Sequence, residues 1–208
     1  MSKNQKLQEA AEPGQDRVQN AQAVRSSPEK GSRGLGVWFD IVSVLLAAAL
    51  IITIFFTFFY RFSTVVGVSM EPTLHSGDWV MLSQMKQKPE YGDIVVISQP
   101  NDFGENIIKR VIATEGQVID IDFNTGTVYV DGKALHEPYI KNATTTVPDQ
   151  IFPMQVPEGY CFCMGDNRQN SLDSRFTEVG FIRNDYILGE AALARTQNGF
   201  QNMTFRGD

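Results

Sequence analysis

The sequence predicts a mainly β fold: a β-barrel-like or folded-sheet domain behind one N-terminal transmembrane helix. Three observations carry that prediction. Ile41 to Phe59 is an apolar run without a charged side chain, about the length needed to cross ~30 Å of hydrocarbon. Beyond Arg61 the chain breaks into short Val- and Ile-rich stretches separated by Gly- and Asp-containing turns, the pattern of successive strands. No helical periodicity of comparable strength appears there.

The elements follow in order. Met1 to Gly34 is rich in Gln, Glu, Lys, Ser, Ala and Gly. Such a stretch buries too little apolar surface to fold alone, so residues 1–35 are read as a disordered tail. Residues 36–60 are read as the transmembrane helix, with Trp38 and Tyr60 at the two interfaces, where aromatic belts belong. A cleaved signal peptide is the rival. The long preceding tail, the length of the apolar run and the sequence Phe58-Phe59-Tyr60-Arg61, which offers no small-residue cleavage site, speak against it. A buried soluble helix fits poorly, since Phe, Ile and Leu cover every face. Arg25, Lys30 and Arg33 precede the span and only Arg61 lies close behind it. The positive-inside rule then puts the tail in the cytoplasm and residues 61–208 outside the cell membrane.

In that outer domain the expected strands are Thr64–Val68, Trp79–Ser83, Asp93–Ser98, Asn106–Thr114, Gln117–Asp122, Thr127–Val130, Glu158–Met164 and Tyr186–Thr196. Ser76-Gly77-Asp78, Glu115-Gly116, Thr125-Gly126 and Asp131-Gly132 mark turns. Lys141 to Pro153, polar and holding Pro148 and Pro153, reads as a loop. Tail and span leave roughly 145 residues, enough for one domain with a core.

Composition narrows the function classes. The net charge of −6 over 208 residues argues against a nucleic-acid partner, which calls for a basic patch. Two cysteines, Cys161 and Cys163, exclude a disulfide framework. At i, i+2 in a strand they lie about 6.5–7 Å apart along the chain, poor geometry for a mutual bridge. They read either as small apolar core residues or as a redox or metal pair.

Three segments carry the candidate chemistry. Ser69 follows the expected strand Thr64–Val68 and precedes Pro72, which cannot continue a ladder. A serine at a strand end presents its hydroxyl, and its own N–H can serve an oxyanion site. It also reads as an ordinary turn serine. His75 and His136 sit in polar surroundings and make poor bases for it. Lys109 lies among Ile107, Ile108, Val111 and Ile112. Burial there lowers the pKa of an amine by disfavouring its charged form. In a strand Arg110 points to the opposite face, solvated or paired. The pair equally reads as edge-strand gatekeepers. Gly165 to Arg175 gathers Asp166, Arg168, Asp173 and Arg175 with Asn167, Asn170, Ser171 and Ser174. Two acids and two arginines so close form a self-paired loop able to brace a site from behind.

With an anchor ahead of them, these pieces resemble, in order, the type I signal peptidases, membrane-bound Ser/Lys endopeptidases. The matching strings are Ser69-Met70-Glu71-Pro72-Thr73-Leu74 with Gly77-Asp78, Gly92-Asp93-Ile94-Val95-Val96, Lys109-Arg110-Val111-Ile112, and Gly165-Asp166-Asn167-Arg168 with Ser171, Asp173, Ser174 and Arg175. The resemblance implies Ser69 as nucleophile and oxyanion N–H donor, and Lys109 as general base. It implies that Ser171 hydrogen-bonds the lysine, that Asp173 and Arg175 form a supporting ion pair, and that Asp166 and Arg168 are structural. It implies signal-peptide-bearing preproteins as substrates, cut after small residues of the Ala-x-Ala type through an acyl-enzyme. It implies an apolar face against the bilayer, and neither a metal nor an organic cofactor. The single span resembles the Gram-positive form. Gly67 stands where some members carry an oxyanion-hole serine, and Phe176 to Phe181 replaces a Tyr-Trp-Gly type sequence. The competing readings are a self-cleaving regulator of the Ser/Lys class, a sortase-like transpeptidase using Cys163, and a non-enzymatic envelope-binding domain.

Overall fold

The computed structural model describes residues 33–84, 88–98 and 104–203. The expected tail therefore lies almost wholly outside the described residues. The chain divides into two compact units, Met1–Ile52 and Thr53–Asp208.

The α-helix α1 runs Arg33–Phe59. It starts a little before the expected span and stops one residue short of it, because Tyr60 opens the first strand. The stretch Gly36–Phe59 is long and apolar enough to cross a membrane. Its large side chains, Leu46, Ile51 and Phe58 among them, are exposed. A helix apolar on all faces finds its complement in lipid rather than in a soluble core.

The second unit is mainly β, as the Val- and Ile-rich stretches and the turn signals predict. Its strands are β1 (Tyr60–Thr64), β2 (Trp79–Ser83), β3 (Ile94–Ile97), β4 (Ile107–Thr114), β5 (Val118–Asp122), β6 (Thr127–Val130), β7 (Lys133–Ala134), β8 (Met154–Gln155), β9 (Tyr160–Met164), β10 (Ile182–Arg183), β11 (Ile187–Thr196) and β12 (Gly199–Asn202). The larger sheet runs β1-β2-β11-β3-β4-β9-β10, with β12 on the far half of β11, and every pairing is antiparallel. The smaller runs β7-β6-β5-β8. Both orders are open, so this is a folded sheet rather than a closed barrel.

One expected strand is misplaced. Thr64–Val68 is not a strand; the pairing ends at Thr64, opposite Trp79. Val65 instead bonds the next turn, donating to Asp78 O and accepting from Gly77 N. Gly67 then takes φ +90°, a left-handed conformation that favours glycine. The chain leaves the sheet after Thr64 and turns at Gly67, two residues before Ser69.

The core has three parts. Val80, Leu82, Ile94 and Val96 close over the buried Met70 and Leu74. Ile112, Ile119, Val128, Phe162 and Met164 join the two sheets. Val95, Ile97, Val111, Cys161 and Cys163 form the third. Strands β3, β4 and β9 are thus covered on both faces, which is why β3 reads as an unbroken Ile-Val-Val-Ile run. The cysteines are free and buried with sulfurs 3.5 Å apart, matching the core reading.

Candidate active site

Ser69 stands on the turn that leaves β1. The buried Met70 and Leu74 peg this turn into the core, and Leu74 N–H closes it onto Met70 O at 2.9 Å. Asp78, also buried, accepts from His75 N–H at 2.8 Å and shapes the return to β2. Local sequence thus supplies the pegs, while Gly67 and Pro72 set the exit from the sheet.

Lys109 lies in the middle of β4, opposite Val95 of β3. Its exposure is 4%. Nζ donates to Ser69 Oγ at 2.9 Å, joining residues 40 apart in sequence. Loss of solvation holds the Lys109 pKa below its usual value; the Asp173 carboxylate opposes this and the Arg175 guanidinium reinforces it. A hydroxyl and an easily neutralised amine therefore share one hydrogen bond. That arrangement can move a proton off the hydroxyl as it attacks a carbonyl.

The loop behind the pair is cross-braced, though not as expected. Asp173 and Arg175 do pair within it, at 2.8 and 2.9 Å, both fully buried. Asp173 also accepts from Gly165 N–H at 2.9 Å. The other two charges reach outside the loop, so the self-paired expectation is half right. Asp166 accepts from Arg110 Nε at 2.8 Å and Nη2 at 2.7 Å, and from Thr73 Oγ1 at 2.5 Å. Arg168 bonds Glu137 at 2.9 and 2.6 Å and Thr144 Oγ1 at 2.8 Å. Buried charges persist because each has a partner.

Arg110 is buried and paired, not a gatekeeper at a sheet edge: β4 lies between β3 and β9. Its guanidinium sits 4.0 Å from the centre of the Tyr139 ring. Glu137, Tyr139 and Thr144 carry no local signal, since they act across 24 or more residues. Ser171 departs from the expectation. Its Oγ is buried and has no hydrogen-bond partner, so the bond to Lys109 is not formed. Gly165 packs so tightly that a Cβ there would lie 2.2 Å from Ser171 Oγ and 2.5 Å from Ser69 O. His75 and His136 are exposed. The Cys163 thiol is pushed up by its bond to Cys161 and by burial, the reverse of an activated nucleophile. Among the described residues, no group of three or more His, Cys, Asp or Glu is placed to hold a metal ion.

A sequence profile described as signal peptidase, peptidase S26, matches residues 38–195. The chain belongs to this family. The probable signal peptidase I-1 of Synechocystis sp. is 37% identical over 159 residues, covering 71% of this chain and 77% of the relative. Signal peptidase I U of Bacillus subtilis is 33% identical over 162 residues, covering 74% and 84%. A crystal structure of a signal peptidase I from Enterococcus faecalis V583 overlaps 50% of this chain and 97% of its own, at 30% identity and a TM-score of 0.41. Family and relatives identify a serine endopeptidase of the signal peptidase I type. The apolar helix makes it membrane-anchored.

Proposed function

We propose that Ser69 and Lys109 form the catalytic dyad of a peptidase that removes N-terminal signal peptides from exported preproteins. The observation that carries this reading is the 2.9 Å bond between a buried amine and a serine hydroxyl. Neutral Lys109 takes the Ser69 proton while Oγ attacks the scissile carbonyl. Ser69 N–H donates to the developing oxyanion. The protonated amine then returns the proton to the leaving amino group, and an ester forms on Ser69. Water, deprotonated by the same amine, hydrolyses that ester. The Asp173–Arg175 pair and the two outward pairs of Asp166 and Arg168 hold the loop rigid behind the dyad. The substrate is cut after small residues in the Ala-x-Ala pattern.

Residues 1–35 form a cytoplasmic tail, 36–60 the span and 61–208 the extracytoplasmic domain, on the charge asymmetry of the flanks. Register supports a bilayer-facing surface. Thr64 and Arg195 both pair with Trp79, Phe62 with Met81, and Phe200 with Arg195. Directly paired residues share a sheet face. Phe62, Trp79 and Phe200 are 70%, 53% and 73% exposed on that face. Tethering both enzyme and precursor to one membrane raises the effective concentration of the cleavage site.

The test is cleavage of a preprotein by the full chain in detergent, with the N-terminus of the product sequenced. Ser69→Ala and Lys109→Ala are each expected to abolish cleavage while preserving the circular dichroism spectrum. Turnover by Lys109→Ala close to that of the parent refutes the dyad.

A further inference from the structure

Asn167 lies beside Ser69 and contributes nothing to the charge pairs that brace the loop. Its backbone N–H donates to Ser69 O at 3.0 Å. Its side-chain Nδ2 donates to Val68 O at 3.1 Å. One residue therefore bonds both carbonyls that flank the serine, and Val68 O accepts a second bond from Glu71 N–H at 3.2 Å. Its amide is itself oriented, because Asn170 Nδ2 donates to Asn167 Oδ1 at 3.3 Å. Asn167 is buried, so no surface water substitutes for these contacts.

The consequence follows from peptide planarity. The only cis bonds among the described residues are Glu71–Pro72 and Phe152–Pro153, so the Val68–Ser69 bond is trans. In a trans peptide the N–H points opposite to the C=O. Anchoring Val68 O to Asn167 aims the Ser69 N–H away from Asn167. That N–H makes no hydrogen bond to the described residues. The peptide plane that carries this N–H turns about Val68 ψ and Ser69 φ, the two soft torsions that flank it. With the Asn167 amide removed, only the 3.2 Å bond from Glu71 N–H to Val68 O resists that rotation.

The geometry points to Asn167 as a positioning residue that presets the oxyanion-binding peptide of Ser69, an inference that rests on the dyad reading above. A preset donor needs no reorganisation as the carbonyl oxygen gains charge. The clamp acts on the barrier and not on the base, which sits on β4.

The experiment measures kcat, KM and the pH profile of the full chain in detergent micelles, on a synthetic peptide spanning a signal-peptide cleavage junction. Asn167→Ala removes the side-chain donor to Val68 O, adds no charge near Lys109 and keeps the backbone N–H to Ser69 O. Its kcat is expected to fall roughly ten- to hundred-fold, somewhat less than the loss of an oxyanion donor outright. KM stays within about two-fold, because ground-state binding is untouched. The acid limb of the pH profile, set by Lys109, does not move. Asn170→Ala, at an exposed position, loosens the amide and lowers kcat a few-fold with the same unchanged KM and pH limb. Unchanged kcat in both variants overturns the clamp. So does a shifted acid limb, which places the effect on the base. A Ser69→Ala control that still turns over refutes the dyad itself, whereas an inert control beside fully active Asn167 and Asn170 variants refutes only the clamp.

Discussion

Replacing Asp166 tests whether the site is held together by charge. The carboxylate is fully buried and takes both forks of Arg110, at 2.8 and 2.7 Å, along with the Thr73 hydroxyl. It thereby links the strand of Lys109, the turn of Ser69 and the loop behind both. Asp166→Ala leaves the Arg110 guanidinium buried with no carboxylate. Stranding one member of a buried ion pair costs about 3–5 kcal/mol. Losing the Thr73 bond adds about 1 kcal/mol. The sum, about 4–6 kcal/mol, is comparable to the whole stability of a marginal domain, ~5–15 kcal/mol. The double variant Arg110→Met/Asp166→Leu removes both charges and is expected to recover most of that loss. Its residual deficit is about 1–2 kcal/mol, since Gly92 O loses the 2.8 Å bond from Arg110 Nη1. Urea titrations of the full chain in non-ionic detergent, followed by near-ultraviolet circular dichroism, compare the parent with the single and the double variant. A single variant within about 1 kcal/mol of the parent refutes the argument. A double variant no more stable than Asp166→Ala does so equally.

Lys109 sets two pH dependences. Its folded pKa is depressed below 10.5 by burial. Activity needs the neutral amine, so kcat/KM should climb with pH along a limb centred below 10.5; a midpoint at the ordinary lysine value contradicts the burial argument. For stability, the unfolded chain binds more protons between the folded pKa and 10.5. Parent stability rises with pH through that window, and the deficit is complete below the folded pKa. Lys109→Met removes this slope, so its urea midpoint should exceed that of the parent most at low pH, with the gap narrowing as pH rises. Gly165→Ala should cut kcat steeply, because the new methyl meets both Ser171 Oγ and Ser69 O at less than 3 Å; turnover equal to the parent would show that the loop yields freely.

Much of the fold was readable because its signals are local. Trp79–Ser83 and Thr127–Val130 alternate and end at turn residues, and both strands have the expected bounds. The bridges β7, β8 and β10 are two residues each, too short for any period to register. Thr64–Val68 misled because Thr-Val-Val has the composition of a strand, whereas Gly67 and the bonds of Val65 to the 77–78 turn divert it. In the candidate site, Lys109 among isoleucines announces its own desolvation. The Asp173–Arg175 pair spans only two residues and was equally visible. Arg110 with Asp166 spans 56 residues and Arg168 with Glu137 spans 31, so no window of sequence holds both partners. Asn167 carries no signal of its role in the sequence, because its contacts are to backbone carbonyls that sequence does not display.

The exposed face of β2 carries an incidental reporter. The chain has two indoles, Trp38 on α1 and Trp79 beside Phe62. With Trp38 exchanged for phenylalanine, all remaining indole emission would come from that patch, and its wavelength would report directly whether water or acyl chains surround it.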